Sequence, residues 1–222
     1  MLHYVYKRVS AITGNLFLAI CDQEVKEYCK EMNLKFIMTD PNHKSGSDRI
    51  GEAVKKLEDI INFKFVINVQ GDMPFINKHH INLLKKKLLQ FQIATLACPF
   101  ISLDEAKNSS KVKVTIEDSN YALDFSRMLQ SNLKINENVF HHIGVYAYHK
   151  QFLLDFISLS PTQRELDEKL EQLRIININK IGISIIKEEI LGVDTKEDLD
   201  RVNRLILKLS LIHISEPTRR IT

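Results

Sequence analysis

The 222-residue sequence is 44% hydrophobic and 27% charged, and its 31 lysines and arginines exceed its 28 aspartates and glutamates by a net +3. That is enough apolar material for one sizeable α/β core, and so small a charge excess gives no reason to invoke nucleic acid or an anionic membrane as partner. No run approaches the ~20 apolar residues that span a bilayer. The three cysteines, Cys21, Cys29 and Cys98, lack any ligand or CxxC spacing, which fits reduced, buried thiols in a cytoplasmic protein.

Short apolar runs alternate with segments of helical period, the pattern of an α/β protein with a largely parallel sheet. Residues 16–21 read as a buried strand. Downstream of Lys7 and Arg8 they faintly resemble a lipoprotein signal, but Ile20 is bulky where cleavage needs a small residue. Asp22 is placed to cap a helix that turns Val25, Cys29 and Met32 inward. Residues 35–38 form a second short strand. Ser47 can cap the next helix, with Ile50, Ala53, Val54 and Leu57 on one face.

Residues 63–69 are predominantly apolar, with Phe63, Phe65, Val66, Ile67 and Val69, as a central parallel strand should be. A helix over 76–91 and a strand over 93–100 follow. Residues 112–117, 121–125 and 139–148 read as strands without long helices between them, an antiparallel excursion from the main sheet, with 126–138 a loop. Residues 165–175 return to helix with Leu166, Leu170 and Leu173 inward. A strand over 181–187 precedes a helix that Thr195 and Asp198 open in capping-box fashion, carrying Leu199, Val202, Leu205, Ile206 and Leu209. Residues 210–222 show no sustained period and are expected to lie outside the fold, so the domain is 1–209.

The most informative stretch is Val66-Ile67-Asn68-Val69-Gln70-Gly71-Asp72-Met73-Pro74, a buried strand ending in Gln-Gly-Asp before a proline. In open α/β sheets ligands bind beyond the carboxyl ends of strands. Gly71 permits close backbone approach, and Asp72 is a hard oxygen ligand of the kind Mg²⁺ takes. An ordinary strand-to-turn sequence explains the same residues equally well. His142 and Tyr146 lie four apart in a strand and share a face, as two residues lining one pocket must; core packing is the rival for Tyr146. His141 should point the other way. His79-His80 has no companion at metal-ligand spacing.

Five blocks in order carry a resemblance. Asn68-Val69-Gln70-Gly71-Asp72, His43-Lys44-Ser45-Gly46-Ser47-Asp48-Arg49, His142-Ile143-Gly144-Val145-Tyr146, Leu170-Glu171-Gln172-Leu173-Arg174 and Gly192-Val193-Asp194-Thr195 resemble the motifs of the 3-deoxy-manno-octulosonate cytidylyltransferases, the CMP-KDO synthetases. The resemblance extends over about residues 1–209. It implies a nucleotide-diphospho-sugar-transferase-like, Rossmann-like three-layer fold, and transfer of CMP from CTP to 3-deoxy-D-manno-octulosonate (KDO), with pyrophosphate released, for lipopolysaccharide synthesis. It further implies nucleotide contacts from Ser45, Gly46 and Gln70, and sugar contacts from Arg49, Gln70, His142, Tyr146, Glu171 and Gln172. A Mg²⁺ would be held by Asp72 and Asp194, and the enzyme would be a cytoplasmic homodimer.

Each block has a plainer reading. Ser47 can simply cap a helix, Arg49 can form a surface ion pair, Glu171 and Gln172 can be a solvated helix margin, and Asp194-Thr195 can be a cap. The sequence also departs from the family. Its opening strand and the Arg-Leu-Pro-Gly-Lys loop that grips the triphosphate have no counterpart, because residues 1–8 match the helix after that loop. The chain as it stands is therefore expected to transfer CMP far more slowly than one carrying the loop. Met73 stands where the family has Glu, Asp124 where it has Tyr, and Met128-Leu129-Gln130 where it has a proline-containing turn. A cytidylyltransferase for another acidic sugar, such as a sialic acid, and a catalytically silent remnant are the competing readings.

Overall fold

The computed structural model describes residues 1–117, 120–130, 134–193 and 195–215, with side chains to 206 in the last helix. In chain order the elements are α1 (Leu2–Ser10), β1 (Leu18–Ile20), α2 (Gln23–Glu31), β2 (Phe36–Met38), α3 (Gly46–Leu57), β3 (Phe65–Asn68) and α4 (Lys78–Lys87). They continue with β4 (Ile93–Cys98), α5 (Leu103–Lys107), β5 (Lys113–Glu117), β6 (Tyr121–Ser126) and β7 (Val139–His149). The chain then runs through α6 (Lys150–Ser158), α7 (Gln163–Glu168), a 3₁₀ turn over Glu171–Arg174, β8 (Ile181–Ile185) and α8 (Lys196–Ser215).

Helix starts follow local chemistry. The Asp22 carboxylate accepts the Glu24 and Val25 amides at the head of α2, as its position in the sequence implies. Asn77 does the same for His80 at α4, and Ser102 for Glu105 at α5. At α3 the expectation is corrected: Ser45, not Ser47, is the cap and accepts the Asp48 amide. Ser47 sits two residues further on, within the first turn and fully buried, and its hydroxyl bonds elsewhere.

The segment expected as one helix over 165–175 is two pieces. Helix α7 ends at Lys169, whose backbone is left-handed at φ 53°, and the chain resumes as the 3₁₀ turn. That break turns Leu166 out to 54% exposure, against expectation, while Leu170 and Leu173 remain buried. Helix α6, which no motif marks, packs Leu153 and Phe156 into the core. Helix α8 runs on to Ser215, into the residues expected to lie outside the fold.

The strands form a six-stranded sheet in the order β3-β7-β4-β8-β6-β5 and a separate parallel pair, β1-β2. In the larger sheet β3, β4, β5 and β8 run one way and β6 and β7 run against them. Strand β7 is long enough at eleven residues to pair with β3, β4 and β5 in turn. It is the source of the one clear departure for β3. That strand has the direction expected of it, but among the described residues its sheet partner is antiparallel β7, which places it at the sheet edge with Phe65 43% exposed.

Helices cover both faces, giving three layers. On one side Val54 of α3 and Leu153 and Phe156 of α6 pack with Leu170 and Leu173 against Ile93, Ile181 and Ile183 of the sheet. On the other, Val5 and Val9 of α1 and Ile81 and Leu84 of α4 pack against Ala94, Leu96 and Val145. Every residue of β4 is buried, as a strand covered on both faces must be. No helix among the described residues is long and apolar enough to cross a membrane.

Candidate active site

A cavity of about 1600 Å³ opens at the end of β3 and is walled by the start of α3, the middle of β7, the 3₁₀ turn and the segment before α8. Ser45, Gly46, Arg49, Gln70, Asp72, His142, Tyr146, Glu171 and Gln172 all line it. They come from four stretches of chain far apart in sequence, so the fold gathers into one place what the motifs give only in order. Asp194 lies outside the described residues. Its neighbours Gly192 and Thr195 line the same cavity, and a Cβ on Gly192 would stand 3.9 Å from the Asp72 carbonyl oxygen. The two segments carrying the candidate metal carboxylates therefore meet.

The start of α3 forms one wall. Arg49 donates from Nη1 to the Thr39 hydroxyl at 2.8 Å and more weakly to the Asp40 carbonyl at 3.4 Å. These bonds hold its guanidinium fork at the cavity wall, where the planar donor array suits a carboxylate or phosphate. The β3 end forms the floor. Gln70 donates from Nε2 to the Gly144 carbonyl at 3.3 Å. A Cβ at residue 144 would lie 3.2 Å from that same nitrogen, so glycine is what lets the Gln70 amide approach the strand so closely. Gly144 and Val145 are the residues that β7 inserts where its register against β4 steps from Tyr146 to Ile143.

On β7, His142 and Tyr146 do share a face, with ring centroids 5.4 Å apart. Both are buried, and Tyr146 stacks on Tyr148 while His142 meets Phe125 edge-on. His142 Nε2 lies 3.0 Å from the Thr95 hydroxyl. Burial pushes its imidazole down to about 3, with His141 a lesser contributor, so near neutrality it is an uncharged hydrogen-bonding group and no proton shuttle. Burial likewise raises the Tyr146 phenol well above its usual value.

The 3₁₀ turn supplies Glu171 and Gln172. Gln172 is only 3% exposed, and its Nε2 has no hydrogen-bond partner among the described residues. A buried amide donor left open at a cavity wall points to a ligand acceptor, since such a group otherwise costs stability. Behind the turn, Arg174 is clamped by Glu165 through Nε–Oε2 at 2.9 Å and Nη2–Oε1 at 2.6 Å, and lies 4.9 Å over the Phe156 ring.

Sequence reasoning missed Lys111, Arg127, His141 and Glu189, which also line the cavity. His141, expected to point away, stacks on Phe100 and has Nδ1 3.4 Å from Glu189. Lys111 bridges Glu105 and Glu189, each at 2.6 Å. Arg127 donates from Nε to the Glu168 carbonyl at 2.7 Å. A basic residue just past a strand end is the signal that could have found Arg127; none exists for Lys111, whose partners lie 6 and 78 residues away. Asp124, the departure from the family's tyrosine, is matched by Arg164, which binds both its oxygens at 2.7 and 2.8 Å.

Among the described residues no three His, Cys, Asp or Glu side chains converge as a closed metal site. Asp72 as a hard oxygen donor on the wall fits Mg²⁺, which binds through one or two carboxylates plus substrate phosphates.

Comparison with known proteins agrees with this geometry. The chain is 33% identical to a 3-deoxy-manno-octulosonate cytidylyltransferase of Protochlamydia amoebophila over 90% of its own length and 81% of the relative's. It is 35% identical to an 8-amino-3,8-dideoxy-manno-octulosonate cytidylyltransferase of a Shewanella strain, covering 90% and 85%. In structure it matches a CMP:2-keto-3-deoxy-manno-octonic acid synthetase solved with CTP, at TM-score 0.81 and 30% identity over 93% of this chain and 87% of that one. A 4-diphosphocytidyl-2C-methyl-D-erythritol synthase from Anaerococcus prevotii, at TM-score 0.60 and 11% identity, shares the fold. The profile of the cytidylyltransferase family matches residues 1–188, and the chain belongs to that family.

Proposed function

We infer that this chain is a CTP-dependent cytidylyltransferase that transfers CMP to 3-deoxy-D-manno-octulosonate and releases pyrophosphate. The observation that carries this reading is the convergence of Ser45, Gly46, Arg49, Gln70, Gln172 and the β7 pair on one cavity, in a chain so similar to a synthetase that was solved with CTP. In this reading the nucleotide lies against Ser45, Gly46 and Gln70. The sugar acid takes its carboxylate to Arg49 and its hydroxyls to Gln70, His142, Tyr146 and Gln172. The anomeric hydroxyl attacks the α-phosphorus in line and pyrophosphate leaves, so catalysis is mainly positioning and charge neutralisation. A Mg²⁺ held by Asp72 and Asp194 would neutralise phosphate charge. Neutral His142 can orient a hydroxyl but cannot donate a proton near pH 7. The enzyme works as a cytoplasmic homodimer, and its product serves lipopolysaccharide synthesis.

The Shewanella relative favours a second acceptor, 8-amino-3,8-dideoxy-manno-octulosonate. The test is pyrophosphate release with CTP, Mg²⁺ and either sugar, on this chain and on one extended by the opening segment of a relative. Release that requires KDO supports the reading, and a large preference for the amino sugar shifts the acceptor. No release with either sugar from a folded, extended chain would sink it.

A further inference from the structure

We infer that Glu171 is a positioning residue, which staples the nucleotide-side wall to the sugar-side wall so that the two substrates bind cooperatively. This rests on the assignment of those walls above. Both oxygens of the Glu171 carboxylate are taken by one residue of α3: Oε2 accepts the Ser47 backbone N–H at 3.1 Å, and Oε1 accepts the Ser47 hydroxyl at 2.8 Å. The Ser47 hydroxyl also lies 3.1 Å from the Tyr148 hydroxyl. Ser47 is wholly buried and 124 residues distant from Glu171.

An ionised carboxylate beside the free amides of a helix start makes charge-assisted bonds and complements the helix dipole. Glu171 thus finishes from outside the N-terminal turn that Ser45 begins to cap, and the same turn presents Gly46 and Arg49 to the cavity. Its neighbour Gln172 behaves differently, with a buried amide nitrogen left open at the cavity wall. The turn therefore divides its work: Gln172 meets the ligand and Glu171 sets where Gln172 stands relative to α3. Ordering either wall by a substrate orders the other through this joint, so the second substrate meets a site already formed.

The test compares Glu171→Gln, Ser47→Ala and the double variant by hydrogen exchange over residues 45–50 and 170–175, and by KM for CTP and for the sugar acid. Each single change should speed exchange in both segments and raise both KM values together, by roughly tenfold for a lost charge-assisted bond. The double variant should be little worse than the worse single one, because both act on the same joint: Ser47→Ala removes the hydroxyl bond and leaves the backbone one, and Glu171→Gln weakens both. A rise in the sugar KM alone for Glu171→Gln, with exchange over 45–50 unchanged, would overturn the inference and make Glu171 a direct sugar ligand. If the parent chain binds neither substrate, joint changes in exchange still uphold the staple while the functional reading fails; exchange that changes in one segment only refutes the staple.

Discussion

Replacing Glu165 by glutamine leaves the Arg174 guanidinium buried without its main counter-charge. The Arg174 side chain is 3% exposed and that of Glu165 8%, and the pair is bidentate. What remains for Arg174 is Asp48 at 3.4 Å, the Leu159 carbonyl at 3.4 Å and the face of Phe156. Breaking one side of a buried pair costs about 3–5 kcal/mol, mostly as the penalty of the charge left behind. In a domain of this size that corresponds to a fall in thermal midpoint on the order of 10 °C.

Glu165 also accepts the Thr162 amide in the capping box of α7, so Arg174→Met is the cleaner partner variant. The informative protein is the double variant, Glu165→Gln with Arg174→Met. It removes both charges from the interior and should recover a large part of the loss, because the desolvation cost disappears with the pair. Chemical denaturation of the four proteins measures this directly. The reasoning fails if Glu165→Gln costs under about 1 kcal/mol, as for an exposed pair, or if the two single losses simply add.

Gln172→Ala should raise the KM for the sugar acid by roughly tenfold, as for loss of one hydrogen bond to a charged or strongly polar ligand, with little change in the midpoint because its amide nitrogen bonds none of the described residues; an unaltered KM would remove it from the site. Stability should fall on acidification. Burial holds His142 at about 3 and His141 at about 4, whereas unfolded histidine binds its proton near ~6.5. The unfolded state therefore takes up the extra protons, and the stabilisation present above pH ~6.5 is lost progressively as pH drops toward these values. His142→Asn should flatten that slope by up to about 1.4 kcal/mol per pH unit; an unchanged slope would show that His142 protonates freely when folded. Gly182→Ala would bring a methyl group to 2.6 and 2.9 Å from Phe91 Cδ2 and Cγ, costing about 1–3 kcal/mol by overpacking, whereas Gly14→Ala meets nothing within 4 Å and should be neutral in the same melt. Removing residues 210–222 should leave the midpoint within about two degrees; a loss of several degrees would show that this end of the chain packs.

Local rules are legible in the sequence because their causes are local. Asp22 caps α2 through amides two and three residues on, and Thr195 and Asp198 cap α8 within a single turn. The apolar runs form strands within a few residues of where hydrophobic pattern places them. The motif order is enough to name nearly every wall of the cavity, since ligand-binding groups must sit at strand ends and helix starts. Tertiary structure decides what depends on distant partners. Ser47 has the right chemistry for a cap, but Glu171 claims it from 124 residues away. Leu166 has helical spacing to the core, yet the left-handed Lys169 and the clamp of Arg174 on Glu165 turn the chain before that spacing can act. Strand alternation alone would face His141 away, and the cavity receives it together with Lys111 and Glu189, whose association no periodicity encodes. Strand β3 reads as central from its apolar run, but the pairing that settles its place is with β7, about eighty residues later, and a strand's position in a sheet is set by which partners arrive rather than by its own side chains.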